Sequence, residues 1–414
     1  MLLTRTAVRM WPAFWLLSGL LLAPVATAAE GDAPSTTTFT GSAEAGTGTA
    51  AFRLGYYHNG DSGDGNPFLN ERLTVVEPIL IVDYNITNRL GIWGLFSYDY
   101  VSSASIERLD KFRFQGGASG DMNYRGDLGL RYELDEDLRV GGYVNGSTDY
   151  DYNSIGFGGD VAKDLANKDA TLKLAANFYY DWLKVIRFDG DIDEDNDGKV
   201  DKMKDRTSTS ATLSWYQVIN PKTHGELGLT LAYQDGFLET PYNAVVIQDP
   251  TLPKNPNLAN LARGYEITEE LPSTRVRGAL FGKVRRWLQP GTSIQLESRL
   301  YTDSWGIFSG SVEPMLYHDI LPGRLSMRVG YRFYSQTAAD DYGRVFRAPT
   351  NDRTQDSQLS NFASHGISAK FTWQVCERFE MDAGGRYTFQ DDGLDYIMGS
   401  IGFRWDFEVP GLGR

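Results

Sequence analysis

One cysteine, Cys376, and four histidines are the whole supply of thiol ligands and imidazole bases in this 414-residue chain. A lone thiol forms no intramolecular disulfide, so an exported chain of this sequence holds together without one, and Cys376 reads as a small residue at a turn. The histidines have neither zinc-ligand spacing nor a triad-like setting. Ser364 and His365 are adjacent, but neighbours on a strand point to opposite faces. No glycine-rich phosphate loop occurs. After the first thirty residues no apolar run is long enough for a transmembrane helix. Positive charge is also short: 40 Lys and Arg stand against 54 Asp and Glu, a net charge of −14 that disfavours nucleic acid and anionic lipid surfaces. The expectation is a non-enzymatic protein with no catalytic residue.

The chain opens with Arg5 and Arg9, then an apolar run over 10–25 broken by Pro12, Ser18, Gly19 and Pro24, then Ala26-Thr27-Ala28. A basic start, a short apolar stretch and an A-x-A site make 1–28 a cleaved signal peptide rather than an anchor. Losing Arg5 and Arg9 with it takes the net charge from −14 to −16. Residues 29–49, rich in Thr, Ser, Gly and Ala, read as a flexible periplasmic leader.

What the chain has in quantity is glycine (44), tyrosine (23) and phenylalanine (21), set in alternating patterns. In 323–336, Leu325, Met327, Val329, Tyr331 and Phe333 share one face of an extended strand, while Arg324, Ser326, Arg328, Arg332 and Gln336 share the other. An apolar outer face over a charged inner one is the pattern of a transmembrane barrel strand. About sixteen such segments occur, from 51–58 to 395–407, separated alternately by short polar turns (85–88, 134–137, 164–169, 220–223, 289–291, 321–323, 376–378) and mostly longer segments (59–71, 102–120, 189–206, 237–273, 337–363). The expected fold is therefore all-β. It is a single closed antiparallel transmembrane β-barrel over 50–408, of roughly 14–18 strands, with short periplasmic turns, long extracellular loops and a tail at 409–414. Closure between the first and last strands removes exposed edges. The place is the cell outer membrane, with its lipid as the first partner.

The last strand, with Ile397, Gly399, Ile401, Phe403, Trp405 and Phe407 in one register, resembles the signal read by the outer-membrane insertion machinery, though here 408–414 follow it. Further segments are Val101-Ser102-Ser103-Ala104-Ser105, Gly236-Phe237-Leu238-Glu239-Thr240-Pro241-Tyr242, Glu270-Leu271-Pro272-Ser273-Thr274-Arg275, Tyr301-Thr302-Asp303-Ser304-Trp305-Gly306-Ile307, and the run from Tyr331 to Ala339, YRFYSQTAA. Together they resemble a family of bacterial outer-membrane barrels classed as a domain of unknown function, in which SAS and WGI elements recur. The resemblance implies a barrel and carries no reaction or ligand.

Two constellations carry chemistry. Asp193, Asp195, Asp197 and Asp201, around Gly198 and after Asp189 and Asp191, match the first part of a calcium loop, with Lys204 where a bidentate glutamate would complete it. Ca2+ ordering an extracellular loop is expected, against the plainer reading of a solvated acidic loop. The second is a basic stripe on lumen positions: Arg275, Arg277, Lys283, Arg285, Arg299, Arg324, Arg328 and Arg332, with Glu297, Asp303 and Glu313 nearby. Either the stripe is a paired network bracing the wall, or it is a selectivity surface for anionic or hydroxyl-rich solutes. Tyr301 and Tyr334 share that face.

A barrel of this size leaves an aqueous channel unless loops fill it, and 237–273 and 337–363 are the segments long enough to fold inward. Transport is the expected function. A lumen mixing Arg, Glu and Tyr, with a general resemblance to barrels that move polysaccharide, points to export of a sugar polymer with a periplasmic polysaccharide-export protein. The alternatives are a porin for small solutes and a calcium-ordered surface-binding barrel.

Overall fold

The computed structural model describes residues 44–60, 72–101, 121–149, 152–187, 200–239, 244–255, 260 and 263–409. In chain order the strands are β1 (Thr47–Gly60), β2 (Arg72–Asn85), β3 (Leu90–Val101), β4 (Asp121–Asp135), β5 (Leu138–Thr148), β6 (Tyr152–Leu165), β7 (Ala170–Arg187), β8 (Val200–Asn220) and β9 (Thr223–Gly236). They continue with β10 (Ala244–Ile247), β11 (Tyr265–Thr268), β12 (Thr274–Gln289), β13 (Thr292–Asp303), β14 (Phe308–Leu321), β15 (Leu325–Gln336), β16 (Phe362–Cys376), β17 (Phe379–Gln390) and β18 (Asp395–Glu408). All but β10 and β11 form one closed antiparallel barrel, each strand paired with its neighbours in sequence and β12 following β9. β1 closes it against β18, from Thr47 opposite Glu408 to Asn59 opposite Tyr396. Strand β1 thus begins at Thr47, inside the stretch expected to be leader. No helix among the described residues is long and apolar enough to cross a membrane, so the crossing is made by strands.

The alternation that suggested strands sets the two faces. On β9, Leu227, Leu229, Leu231 and Tyr233 are 58, 44, 55 and 48% exposed, whereas Thr230, Ala232 and Gln234 between them are buried. An apolar face turned outward and a polar face turned inward require lipid outside. Outward tyrosines gather towards the rim with the longer connections (Tyr98, Tyr124, Tyr233, Tyr387), and tryptophans towards the short-turn rim (Trp215, Trp287, Trp373, Trp405). Outward aromatics near both rims are the two girdles expected of an outer-membrane barrel.

Five register shifts interrupt the ladders, between Glu133 and Asp135, Val218 and Asn220, Trp287 and Gln289, Asp319 and Leu321, and Gln374 and Cys376. All lie at the short-turn rim, where bulges bend strands into their hairpins. In two of those hairpins a proline is followed by Gly291 or Gly323, both at φ +70°, a conformation costly for any other residue.

The inner wall is held by rings laid on glycines and by ion pairs. The Trp93 ring covers Gly129 and the Tyr179 ring covers Gly156 so closely that a methyl group at either glycine would collide with it. Salt bridges run Arg139–Asp164 (2.6 Å), Lys173–Asp160 (3.3 Å) and Arg206–Asp181 (2.7 Å). Asp382 accepts from both Arg53 and Lys370 at 3.1 Å.

Candidate functional site

The mouth is organised around Asp303, the last residue of β13. Its Oδ1 accepts the backbone N–H groups of Trp305 and Ile307, both at 3.0 Å, which fixes the short turn to β14. Its Oδ2 accepts from Arg275 Nε at 2.9 Å, from Arg275 Nη2, and from the Tyr301 hydroxyl at 2.7 Å. The Arg275 guanidinium also lies 4.0 Å from the centre of the Trp305 ring, whose Nε1–H donates to Thr274 O at 3.2 Å. At Gly306 the backbone is at φ +85°, and a side chain would run into the Asp340 carboxylate, so this turn requires glycine.

The two long loops meet over this turn. The loop 237–273 carries β10 and β11, a two-stranded hairpin. The loop 337–361 pairs with it through Ile247 with Phe346 and Glu270 with Arg353. Gln355 Oε1 accepts from Val246 N at 2.7 Å, and Glu269 Oε1 from the Thr354 hydroxyl at 2.6 Å. Leu238, Leu271, Trp305, Ile307 and Ala339 form one apolar cluster, against which Tyr301 packs from the inner wall. Gln336, at the inward end of β15, donates to Gln358 O (2.9 Å) and Ser360 O (2.6 Å). Because Tyr301, Arg275 and Gln336 all occupy inward positions, the joined loops sit on the inner side of the rim and narrow the entrance. The described parts of the segments singled out at 236–242, 270–275, 301–307 and 331–339 come together here; Val101 ends β3, and Ser102 to Ser105 and Thr240 to Tyr242 lie outside the described residues.

Two carboxyls of this cap are pushed up from their ordinary range. Burial raises Asp356, with the nearby Arg275 opposing it. Burial and the charges of Asp352 and Asp340 raise Asp341.

Below the mouth, the basic stripe is partly neutralised. Lys283 pairs with Glu226 (2.8 Å), and Arg332 stands 4.0 Å from Glu313. Arg386, which sequence reading missed, crosses from β17 to reach Glu313 on β14. Arg285 donates to Ser293 Oγ (3.0 Å) and stacks on Tyr317 (3.8 Å). Glu297 sits opposite Lys283 and Glu313 on its two neighbouring strands and accepts from Gln295 at 2.5 Å. Arg299 and Arg328 occupy inward positions of β13 and β15. Arg324 does not join them: it lies in the exposed turn before β15, because the strand begins one residue later than the alternation suggested. The opposite wall, β2 to β9, carries more carboxylates than cations on its inward face, Asp83, Asp127, Asp160, Asp164, Asp181 and Glu226 among them, and β12 to β18 more cations than carboxylates. The lumen is thus polarised from side to side, an arrangement hidden until the strands are placed around the ring.

Asp193, Asp195 and Asp197 lie outside the described residues. The backbone of Asp201 stands in strand β8 opposite Ile186, within the segment expected to be loop. Ser364 faces the lumen, while His365 accepts or donates a 2.7 Å hydrogen bond with the Tyr331 hydroxyl outside.

A closed barrel with girdled outer wall, polar inner wall and folded external loops defines a channel-type outer-membrane β-barrel. The chain belongs to the family described as "Protein of unknown function (DUF3570)", whose model matches residues 116–403. No curated protein matches the sequence. Similar solved structures include a bacterial polysaccharide outer membrane secretin, at 11% identity over 86% of this chain and 98% of that one, TM-score 0.47. Others are the CymD monoaromatic hydrocarbon channel (10% identity, 94% and 98% covered, TM-score 0.40) and a BenF-like porin from Pseudomonas fluorescens Pf-5 (8%, 88% and 98%, 0.42).

Proposed function

We propose that the barrel is a transport pathway across the outer membrane and that its cargo is a sugar polymer delivered by a periplasmic polysaccharide-export partner. The observation that supports this reading is the half-exposed part of the inner wall, where Gln295, Arg299, Arg328 and Tyr334 present amide, guanidinium and phenol groups to the lumen. Such groups exchange hydrogen bonds with hydroxyls without holding any one tightly, as passage of a polyhydroxylated chain requires. A second reading, diffusion of small hydrophilic solutes, is favoured by the joined loops at the mouth, since a narrowed entrance admits a monomer more readily than a polymer.

Deletion of the gene tests the first reading. Loss of surface polysaccharide, restored by the wild-type gene, is expected; normal surface polysaccharide with reduced uptake of small sugars contradicts polymer export and favours diffusion.

A further inference from the structure

Arg277 stands apart from the rest of the stripe. It occupies an inward position of β12, is only 4% exposed, and among the described residues no side-chain hydrogen bond or ion pair joins it to another group. Its Nε is buried without an acceptor. The carboxylate that faces it across the ladder is Asp303, and Asp303 is already saturated by Arg275, Tyr301 and two backbone N–H groups. The next arginine around the wall, Arg206, is taken by Asp181. Among the described residues Arg277 is therefore the surplus cation of this level of the lumen, and a buried charge without a partner is destabilising.

A second orphan lies beside it. Arg277 shares a crevice with Tyr179, Ser208, Ser210, Ala232 and Gln234. There Gln234 Nε2 donates to Ser208 Oγ at 3.0 Å, while Gln234 Oε1 is buried without a donor. As the side chains stand, the crevice they line leaves no space for a water molecule. One unmet cationic donor and one unmet neutral acceptor in the same crevice are complementary to a ligand carrying both an anion and a hydroxyl. Arginine meets a planar carboxylate through paired N–H groups.

We propose that Arg277 and Gln234 form a binding subsite in the lumen wall for a hydroxycarboxylate, such as a uronic acid unit. Arg277 rests folded against the wall and swings into the lumen to meet the carboxylate, while Gln234 Oε1 accepts from the neighbouring hydroxyl. The subsite rests on the transport reading for its biological meaning, since it would make the conducted solute an acidic sugar, but its binding is measurable without conduction.

The test uses the folded, detergent-solubilised full chain and sodium glucuronate as probe, with glucose and acetate as controls, read by titration calorimetry. Glucuronate is expected to bind saturably and more tightly than either control. Arg277→Met should weaken it by about tenfold or more, with Lys254→Gln, the same loss of charge on an exposed loop, unchanged. Arg277→Met should also raise the thermal unfolding midpoint of the ligand-free barrel, because it removes an unpaired buried charge. A wall-bracing arginine would give the opposite sign. Equal glucuronate affinity in wild type and Arg277→Met, no binding to wild type, or a lowered midpoint in the variant overturns the proposal. Glucuronate binding to a barrel that does not conduct would sink the transport reading and leave the subsite standing; conduction without binding would do the reverse.

Discussion

Removing the Asp303 carboxylate should unlock the mouth, and the structure sets the size of the effect. The side chain is fully buried and serves Arg275, the Tyr301 hydroxyl and the N–H groups of Trp305 and Ile307. In Asp303→Ala the 4% exposed Arg275 loses its counter-charge, and breaking one partner from a buried pair costs about 3–5 kcal/mol. The freed turn N–H groups add about 1 kcal/mol each if rim water reaches them. Asp303→Asn keeps one oxygen for the turn and should cost about 2–4 kcal/mol, nearly all from the lost pair. Urea unfolding in lipid vesicles, followed by tryptophan fluorescence, measures both. A cycle with Arg275→Met should return a coupling of about 2 kcal/mol or more. A cost below about 1 kcal/mol for Asp303→Ala, or strict additivity in the cycle, would refute Asp303 as the organiser of the mouth.

Three other outcomes follow from the same geometry. Arg275→Met should free Asp303 Oδ2 to accept from Arg277 opposite it, so glucuronate binding falls although Arg277 is intact; unchanged affinity would contradict the saturation argument. Asp356 and Asp341 have raised folded-state pKa values, so the folded cap binds more protons than the unfolded one. Cap stability therefore falls as pH rises from the ordinary carboxylate value through the raised one, and acidification should slow hydrogen exchange in β10 and reduce open-channel time, an effect weakened in Asp356→Asn. Faster exchange in acid would contradict this sign. Finally, millimolar calcium is expected to protect the acidic stretch 189–201 from protease, and Asp193→Asn with Asp195→Asn to abolish that protection; cleavage indifferent to calcium would leave a plain solvated segment.

The wall of the barrel was legible in the sequence because each barrel strand repeats one rule, apolar out and polar in, over enough residues to average out exceptions such as inward Ile79 and Trp93. The short polar turns at 289–291 and 321–323 were legible as breaks between strands, and Gly291 and Gly323 close them at positive φ. The hairpin of β10 and β11 was missed although Val245, Val246 and Ile247 form a β-branched run, since each of its strands is only four residues long and that run is buried without alternation, which leaves no period to read. Arg324 was misplaced because a boundary error of one residue moves a side chain between turn and wall. The partners of the basic stripe were the least legible. Lys283 and Glu226 face each other on adjacent strands and follow from register, but Arg386 with Glu313 spans strands not adjacent in the sheet, and Arg131 reaches Asp83 from β4 to β2. Such contacts depend on the curvature of the closed wall and on small residues between, such as Gly330 and Gly366, which strand-by-strand reading does not supply.

The central claim is that the polar inner wall encloses a conducting path narrowed by the joined loops. Planar-bilayer recording of the folded chain in molar potassium chloride tests it most directly, with Gly306→Asp as the variant that forces the turn away from Asp340 and loosens the cap. Stepwise, ohmic conductance that grows in the variant is predicted. A correctly inserted barrel that passes no current in either form would contradict the account.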